Sequence, residues 1–202
     1  MEEFNEKSEE KPEDKENLVL RELFDWIQTI ISSLVLVSLL FSFVARVIGV
    51  VGPSMEATLF TGQKVLISNL FYTPEPGDVI VFTKKNIHLD LSIGPDDEPL
   101  VKRVIAVEGQ TVDIDMVNGL VSVDGVTLDE PYIKSPTTSA GNLKYPYLVQ
   151  PGMVFVMGDN RGQSSDSRSF GPIDTRYILG RVLLRVWPLH DFGPLGAGGA
   201  AS

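Results

Sequence analysis

The chain has no cysteine among its 202 residues, which excludes thiol nucleophiles, disulfides and thiolate metal sites. It has only two histidines, His88 and His190, too few for a His-rich metal centre. Neither lies beside an apolar strand or an evident orienting carboxylate, so a Ser-His-Asp triad is not expected. Positive charge is scarce: 17 Lys and Arg against 27 Asp and Glu give a formal net charge of −10. A phosphate-binding face needs clustered Lys and Arg, so nucleic acid is not an expected partner.

What is present is unevenly spread. Residues 1–25 hold ten acids and four bases with almost no apolar periodicity, the composition of a solvated, disordered tail. Trp26 to Ala45 then reads WIQTIISSLVLVSLLFSFVA, twenty residues without a formal charge. As a helix this run spans about 30 Å, the thickness of a bilayer's hydrocarbon layer. A cleavable signal has a basic start, a shorter apolar core and a small-residue exit, whereas here the start is acidic and the exit is Arg-Val-Ile. Residues 26–46 are therefore expected to form one uncleaved transmembrane helix. Arg21 precedes the run and Arg46 follows it, so the positive-inside rule does not orient it. Residues 47–190 have the length of one ordinary domain. Residues 191–202 are rich in Gly and Ala and are expected to be flexible.

After Arg46 the pattern changes to short β-branched runs separated by Gly, Pro, Asn and Asp, which predicts a mainly β domain built on antiparallel sheet. Strands are expected at Lys64 to Ser68, Asp78 to Phe82, Val101 to Val107, Thr111 to Asp115, Leu120 to Val123, Met153 to Met157 and Arg181 to Trp187. Turn signals separate them at Pro74 to Gly77, Asn118-Gly119, Asp124-Gly125 and Pro151-Gly152, the two Gly dipeptides after Asn118 and Asp124 marking tight hairpins. Leu91 to Leu100 and Ser135 to Leu148 read as surface loops.

Three features carry chemistry. Ser54 follows Gly52-Pro53, a constrained turn on which a hydroxyl and a backbone N–H can face the same carbonyl. Lys102 sits 48 positions later in the apolar run Leu100 to Val107, where strand alternation would turn one of Lys102 and Arg103 toward the core. Burial is what a catalytic lysine needs: with an ordinary value of about 10.4, only about one amine in a thousand is neutral near neutral pH. Arginine cannot do this work because it keeps its proton. The bland alternative makes Lys102-Arg103 a charged pair on an edge strand. The third feature, Gly158-Asp159-Asn160-Arg161-Gly162-Gln163-Ser164-Ser165-Asp166-Ser167-Arg168, follows the apolar run Val154 to Met157 and suits a hydrogen-bonded platform. Ser164 or Ser165 could orient a neutral amine there, and Asp166 could pair with Arg168 to stiffen the loop.

These segments, SMxxTL at Ser54, KRVIAVEGQ at Lys102 and GDNRxxSxDSR at Gly158, in this order behind one apolar run, resemble the bacterial type I signal peptidases, and in particular their Gram-positive-like branch. The resemblance covers residues 26 to about 188 and includes the strand Gly77 to Phe82. It implies a Ser/Lys endopeptidase that removes signal peptides from exported preproteins on the outer face of the cytoplasmic membrane, without metal or cofactor. Ser54 would be the nucleophile and Lys102 the general base. Ser164 would orient that base, Asp166 and Arg168 would support it as an ion pair, and the Ser54 backbone N–H would hold the oxyanion. Asp159, Asn160 and Arg161 would be structural. The implied partners are the lipid bilayer and an extended peptide with small residues at its −1 and −3 positions, bound by a monomer.

Two positions depart from the family's pattern. Ala57 stands where proline is usual, and without that ring the Ser54 turn is expected to be looser. Gly52 stands where some members carry a serine that assists the oxyanion, which leaves the backbone N–H in charge. The rival reading is a weakened or inactive membrane-anchored relative that binds peptides or scaffolds export, with Ala57 marking the lost activity. Leu59, Phe60, Leu70 and Phe71 suit either the membrane interface or the core.

Overall fold

The structure, a computed structural model, describes residues 12–83 and 99–195; His88 and the acidic run Asp96-Asp97-Glu98 lie outside the described residues. The chain divides into two units, residues 1–43 and residues 44–202. The first holds α1, Pro12–Val44, whose stretch Leu20–Leu39 is long and apolar enough to cross a membrane. The helix begins well before Trp26, so residues 12–25 are helical where the acidic composition had pointed to a disordered tail. The local sequence accounts for this. Proline suits the first helical turn, acids favour a helix N-terminus, and Glu, Lys and Leu are good helix formers. At the other end the helix stops at Val44, and Arg46 opens the first strand instead of ending the span.

The second unit is built on a seven-stranded sheet in the order β1-β2-β11-β3-β4-β9-β10 and a four-stranded sheet in the order β7-β6-β5-β8. Every pairing is antiparallel. The strands are β1 Arg46–Gly49, β2 Lys64–Ser68, β3 Val79–Phe82, β4 Leu100–Val107, β5 Thr111–Asp115 and β6 Leu120–Val123. They continue with β7 Val126–Thr127, β8 Tyr147–Leu148, β9 Met153–Met157, β10 Ile173–Asp174 and β11 Ile178–Trp187. A short helix α2, Ser167–Phe170, lies between β9 and β10. The expected turns close where the Gly dipeptides stand. Asp124 and Gly125 have φ of 52° and 79°, the positive pair that a two-residue hairpin turn requires.

β4 organises the site. It lies between β3 and β9 and buries the six residues from Val101 to Ala106 in succession, because apolar side chains cover both of its faces. Val101 packs with Val50, Met55, Leu59, Val65, Ile67, Val79, Val81 and Val182. Val104 packs with Ile80, Phe82, Val154, Val156, Ile173 and Ile178. Each such buried aliphatic residue contributes about 1.5–3 kcal/mol of transfer energy. The consequence differs from the sequence expectation: Lys102 and Arg103 are both buried, at 2% and 5% exposure, and the edge-strand reading of the pair is overturned. The register Arg103↔Met157 then sets the start of the Gly158 to Arg168 segment beside Arg103.

Residues 191–193, expected to belong to a flexible tail, are instead tied to the sheet. Arg185 and Gly193 exchange backbone hydrogen bonds of 2.8 and 3.1 Å, which holds the segment after Trp187 against β11. Residues 196–202 lie outside the described residues.

Candidate active site

Ser54 rides on a tight turn that the core holds from below. Met55 and Leu59 are buried at 1% and 0% exposure, so alternate apolar positions of the turn act as plugs, and Leu59 belongs to the core rather than to any interface. The turn is closed by Glu56 N–H donating to the Pro53 carbonyl and by Thr58 and Leu59 N–H donating to the Met55 carbonyl. The loop after β9 ties it down a second time: Asn160 N–H donates to the Ser54 carbonyl at 3.0 Å, and Asn160 Nδ2 donates to the Pro53 carbonyl at 3.1 Å.

On this turn Ser54 Oγ lies 2.7 Å from Lys102 Nζ. The amine also donates to the Val101 carbonyl at 2.9 Å, which fixes its direction. Ser54 itself is half-buried, so the hydroxyl remains within reach of a peptide while the amine below it does not. A hydroxyl within hydrogen-bond reach of a buried amine is the geometry of a nucleophile and its base.

The platform around the pair is a set of buried ion pairs. Arg103 grips Asp159 through two parallel contacts, Nε to Oδ1 at 2.9 Å and Nη2 to Oδ2 at 2.8 Å. It also donates to the Gly77 carbonyl and stacks on the Tyr132 ring at 3.9 Å. Asp159 in turn accepts from Thr58 Oγ1, which links the pair to the Ser54 turn. Asp166 and Arg168 make the same fork, with both contacts at 2.8 Å, while Asp166 caps α2 and accepts from Gly158 N–H. Arg161 reaches Glu130 and Thr137. A buried pair of this kind costs about 3–5 kcal/mol when one partner is removed, so these groups make the loop rigid rather than adaptable.

The sequence-predicted residues therefore meet, with one exception. Ser54 and Lys102 are in contact and Asp166 pairs with Arg168. Ser164 does not bond to the Lys102 amine: its Oγ is buried without a hydrogen-bond partner, and the Val101 carbonyl takes the place expected for it. Ser164 nevertheless borders the site, since a Cβ added at Gly158 would collide with both Ser164 Oγ and the Ser54 carbonyl. Ser165 is exposed. His190, exposed and beside Asp191, takes no part in this constellation. Among the described residues no cluster of His, Asp or Glu could hold a metal ion.

Sequence reasoning passed over the Val101 carbonyl, Thr58, Tyr132 and the direct grip of Asn160 on the turn, because each acts through a contact that strand register alone creates. Nor did it anticipate the backbone of Ala57. That residue has φ of 97°, a backbone that proline cannot adopt and that costs a residue with a Cβ about 1–2 kcal/mol. Proline does not fit this backbone, and bonds from Asn160 and Thr58 close the turn around Ala57.

A hydroxyl held 2.7 Å from a buried amine suits the acyl-transfer chemistry of a hydrolase. A family model described as signal peptidase, peptidase S26, matches residues 23–187, and the chain belongs to that family. It is 37% identical over 175 residues to a probable signal peptidase I-1 of Synechocystis, covering 85% of this chain and 86% of the relative. It is 33% identical over 191 residues to signal peptidase IB of Staphylococcus aureus, covering 85% and 93%. A solved signal peptidase I from Enterococcus faecalis aligns with 55% of this chain and 97% of its own, at 26% identity and a TM-score of 0.45.

Proposed function

We propose that this protein is a membrane-bound serine endopeptidase that removes N-terminal signal peptides from exported preproteins, with Ser54 as nucleophile and Lys102 as general base. The observation that carries the reading is the 2.7 Å contact between Ser54 Oγ and Lys102 Nζ, with the amine at 2% exposure. Burial disfavours the ammonium form, so the amine is ready to accept a proton.

Ser54 Oγ attacks the scissile carbonyl as its proton passes to Lys102 Nζ. The tetrahedral oxyanion is held by the Ser54 backbone N–H, with no hydroxyl at Gly52 to help. Lys102 returns the proton to the leaving nitrogen as the C–N bond breaks, leaving an acyl-enzyme on Ser54. Water then gives a proton to Lys102 as it attacks the ester, and Lys102 passes that proton to Ser54 Oγ as the acyl C–O bond breaks, which frees the acid and restores both the hydroxyl and the neutral amine. Asp166 with Arg168, and Asp159 with Arg103, keep the strand ends from shifting while charge moves. Ser164, beside Gly158 and with no partner for its hydroxyl, would orient the base only by reaching the Lys102 amine during the reaction.

The apolar helix would anchor the enzyme in the cytoplasmic membrane with residues 47–190 on the extracytoplasmic side. A monomer would take an extended substrate with small side chains at −1 and −3. The test is to incubate detergent-solubilised full-length protein with an exported precursor and read the product ends by mass spectrometry. The wild type is expected to cut at one site after a small residue. Ser54→Ala and Lys102→Arg are expected to lose activity by at least about a thousandfold; cleavage at the wild-type rate by either variant would contradict the assignment.

A further inference from the structure

We propose that Arg185 and Asp191 form a clasp that positions the nucleophile's turn through the Thr58 carbonyl, while Asp159 holds the Thr58 hydroxyl; this inference rests on reading Ser54 as the nucleophile. Arg185 lies on β11, largely buried at 13% side-chain exposure, with its Nη1 3.3 Å from Asp191 Oδ2. Its Nη2 donates to the Thr58 carbonyl at 3.4 Å. Asp191 comes from the segment that folds back after Trp187, held there by the paired backbone bonds between Arg185 and Gly193. The same carboxylate accepts from Gln63 Nε2 at 3.1 Å, and Gln63 Oε1 accepts from the Phe60 N–H at 3.0 Å. Thr58 is thus gripped twice, its hydroxyl by Asp159 and its carbonyl by Arg185.

Two observations favour positioning over simple stability. Arg185 Nε is buried without a hydrogen-bond partner, an arrangement that a purely structural arginine would improve on, since unmade bonds of a buried charged group are costly. The residue just before Thr58 is Ala57, at φ of 97°. A strained backbone persists only while its surroundings hold it, and Thr58 is where they do. Releasing the carbonyl would let Ala57 relax and carry Ser54 Oγ off its line with Lys102 Nζ, without touching either group.

The experiment uses the full-length chain in detergent with an exported precursor as substrate. Arg185→Met keeps the apolar stem and removes the donors, and Asp191→Asn is close in shape, so it carries the test if Arg185→Met does not fold. The expected result is a fall in kcat of about tenfold with KM and melting temperature little changed. Arg185→Lys is expected to retain more of kcat than Arg185→Met, and adding Ala57→Gly to Arg185→Met to restore part of the loss by removing the strain. Unchanged kcat in both variants overturns the clasp, as does a loss of kcat that only follows a loss of melting temperature. Ser54→Ala is run beside them: if it still cleaves, the nucleophile reading falls, whereas an inert Ser54→Ala beside fully active Arg185→Met and Asp191→Asn defeats the clasp alone.

Discussion

Ala57 sets a value on the shape of the Ser54 turn. Its φ of 97° lies far from the −65° that proline imposes, so Ala57→Pro is expected to destabilise the domain by about 1–3 kcal/mol, read as a lowered melting temperature. Ala57→Gly is expected to raise it, because glycine adopts this backbone without a Cβ clash. The opposite order would show that the turn is built differently. Other contacts of the candidate site, Ser54 with Lys102 and Asp166 with Arg168, were expected from several sequence features taken together. Ser54 was marked by its constrained turn, Lys102 by its apolar run, and Asp166 and Arg168 by opposite charges two positions apart. Thr58 and Asp159 were not, because 101 positions separate their hydrogen-bonding side chains. Ser164 was read by type, yet its hydroxyl has no partner, since residue type cannot reveal that a backbone carbonyl already holds the amine.

Among the elements, the hairpin of β5 and β6 makes a prediction of its own. Asp115 accepts from Asn118 Nδ2 at 2.6 Å and from the Val117 and Asn118 N–H groups. These bonds, the Asn118 side chain's first, hold its carboxyl below the usual range. A folded value below the unfolded one means that the stabilisation is present above about pH 4 and is lost as pH falls through the folded value. Amide protection at Val117 and Asn118, taken relative to the intrinsic exchange rate at each pH, is therefore expected to fall on acidification. Asn118→Ala should shift that onset to higher pH; an unchanged onset would mean the side-chain bond contributes nothing. This hairpin was readable because β5 and β6 alternate buried and less buried positions between Gly turns. β1 was not among the expected strands: of its four residues, Arg46 was placed at the end of the membrane segment and the other three opened the domain without a strand of their own. β8 and β10, two residues each, are too short to show a period. The N-terminal part of α1 was missed because acid-rich composition was weighed above helix propensity.

For the molecule as a whole, mainly antiparallel architecture and one apolar helix were legible, since periodicity and run length encode them directly. Strand order was not, because β11 inserts between β2 and β3 through contacts far apart in sequence. The buried phenols give the domain an alkaline limit. Burial pushes Tyr72, Tyr132 and Tyr145 above the ordinary tyrosine value, with Asp78 adding to it at Tyr72 and Glu130 at Tyr132. Folded values above the unfolded one leave stability intact below about pH 10 and erode it as pH rises further. Melting temperature is expected to decline above that point and to decline less in Tyr132→Phe; an equal decline would exclude Tyr132 as a cause. The proposed reaction itself depends on one amine kept uncharged by the fold around it. Its most direct test is the pH dependence of kcat/KM for precursor cleavage, measured for the wild type and for Lys102→Arg. The account predicts a wild-type rate that rises with pH and levels off well below the ordinary lysine value of about 10.4, and no such limb in Lys102→Arg. A rate that keeps climbing to that value, or the same limb surviving in the arginine variant, would contradict it.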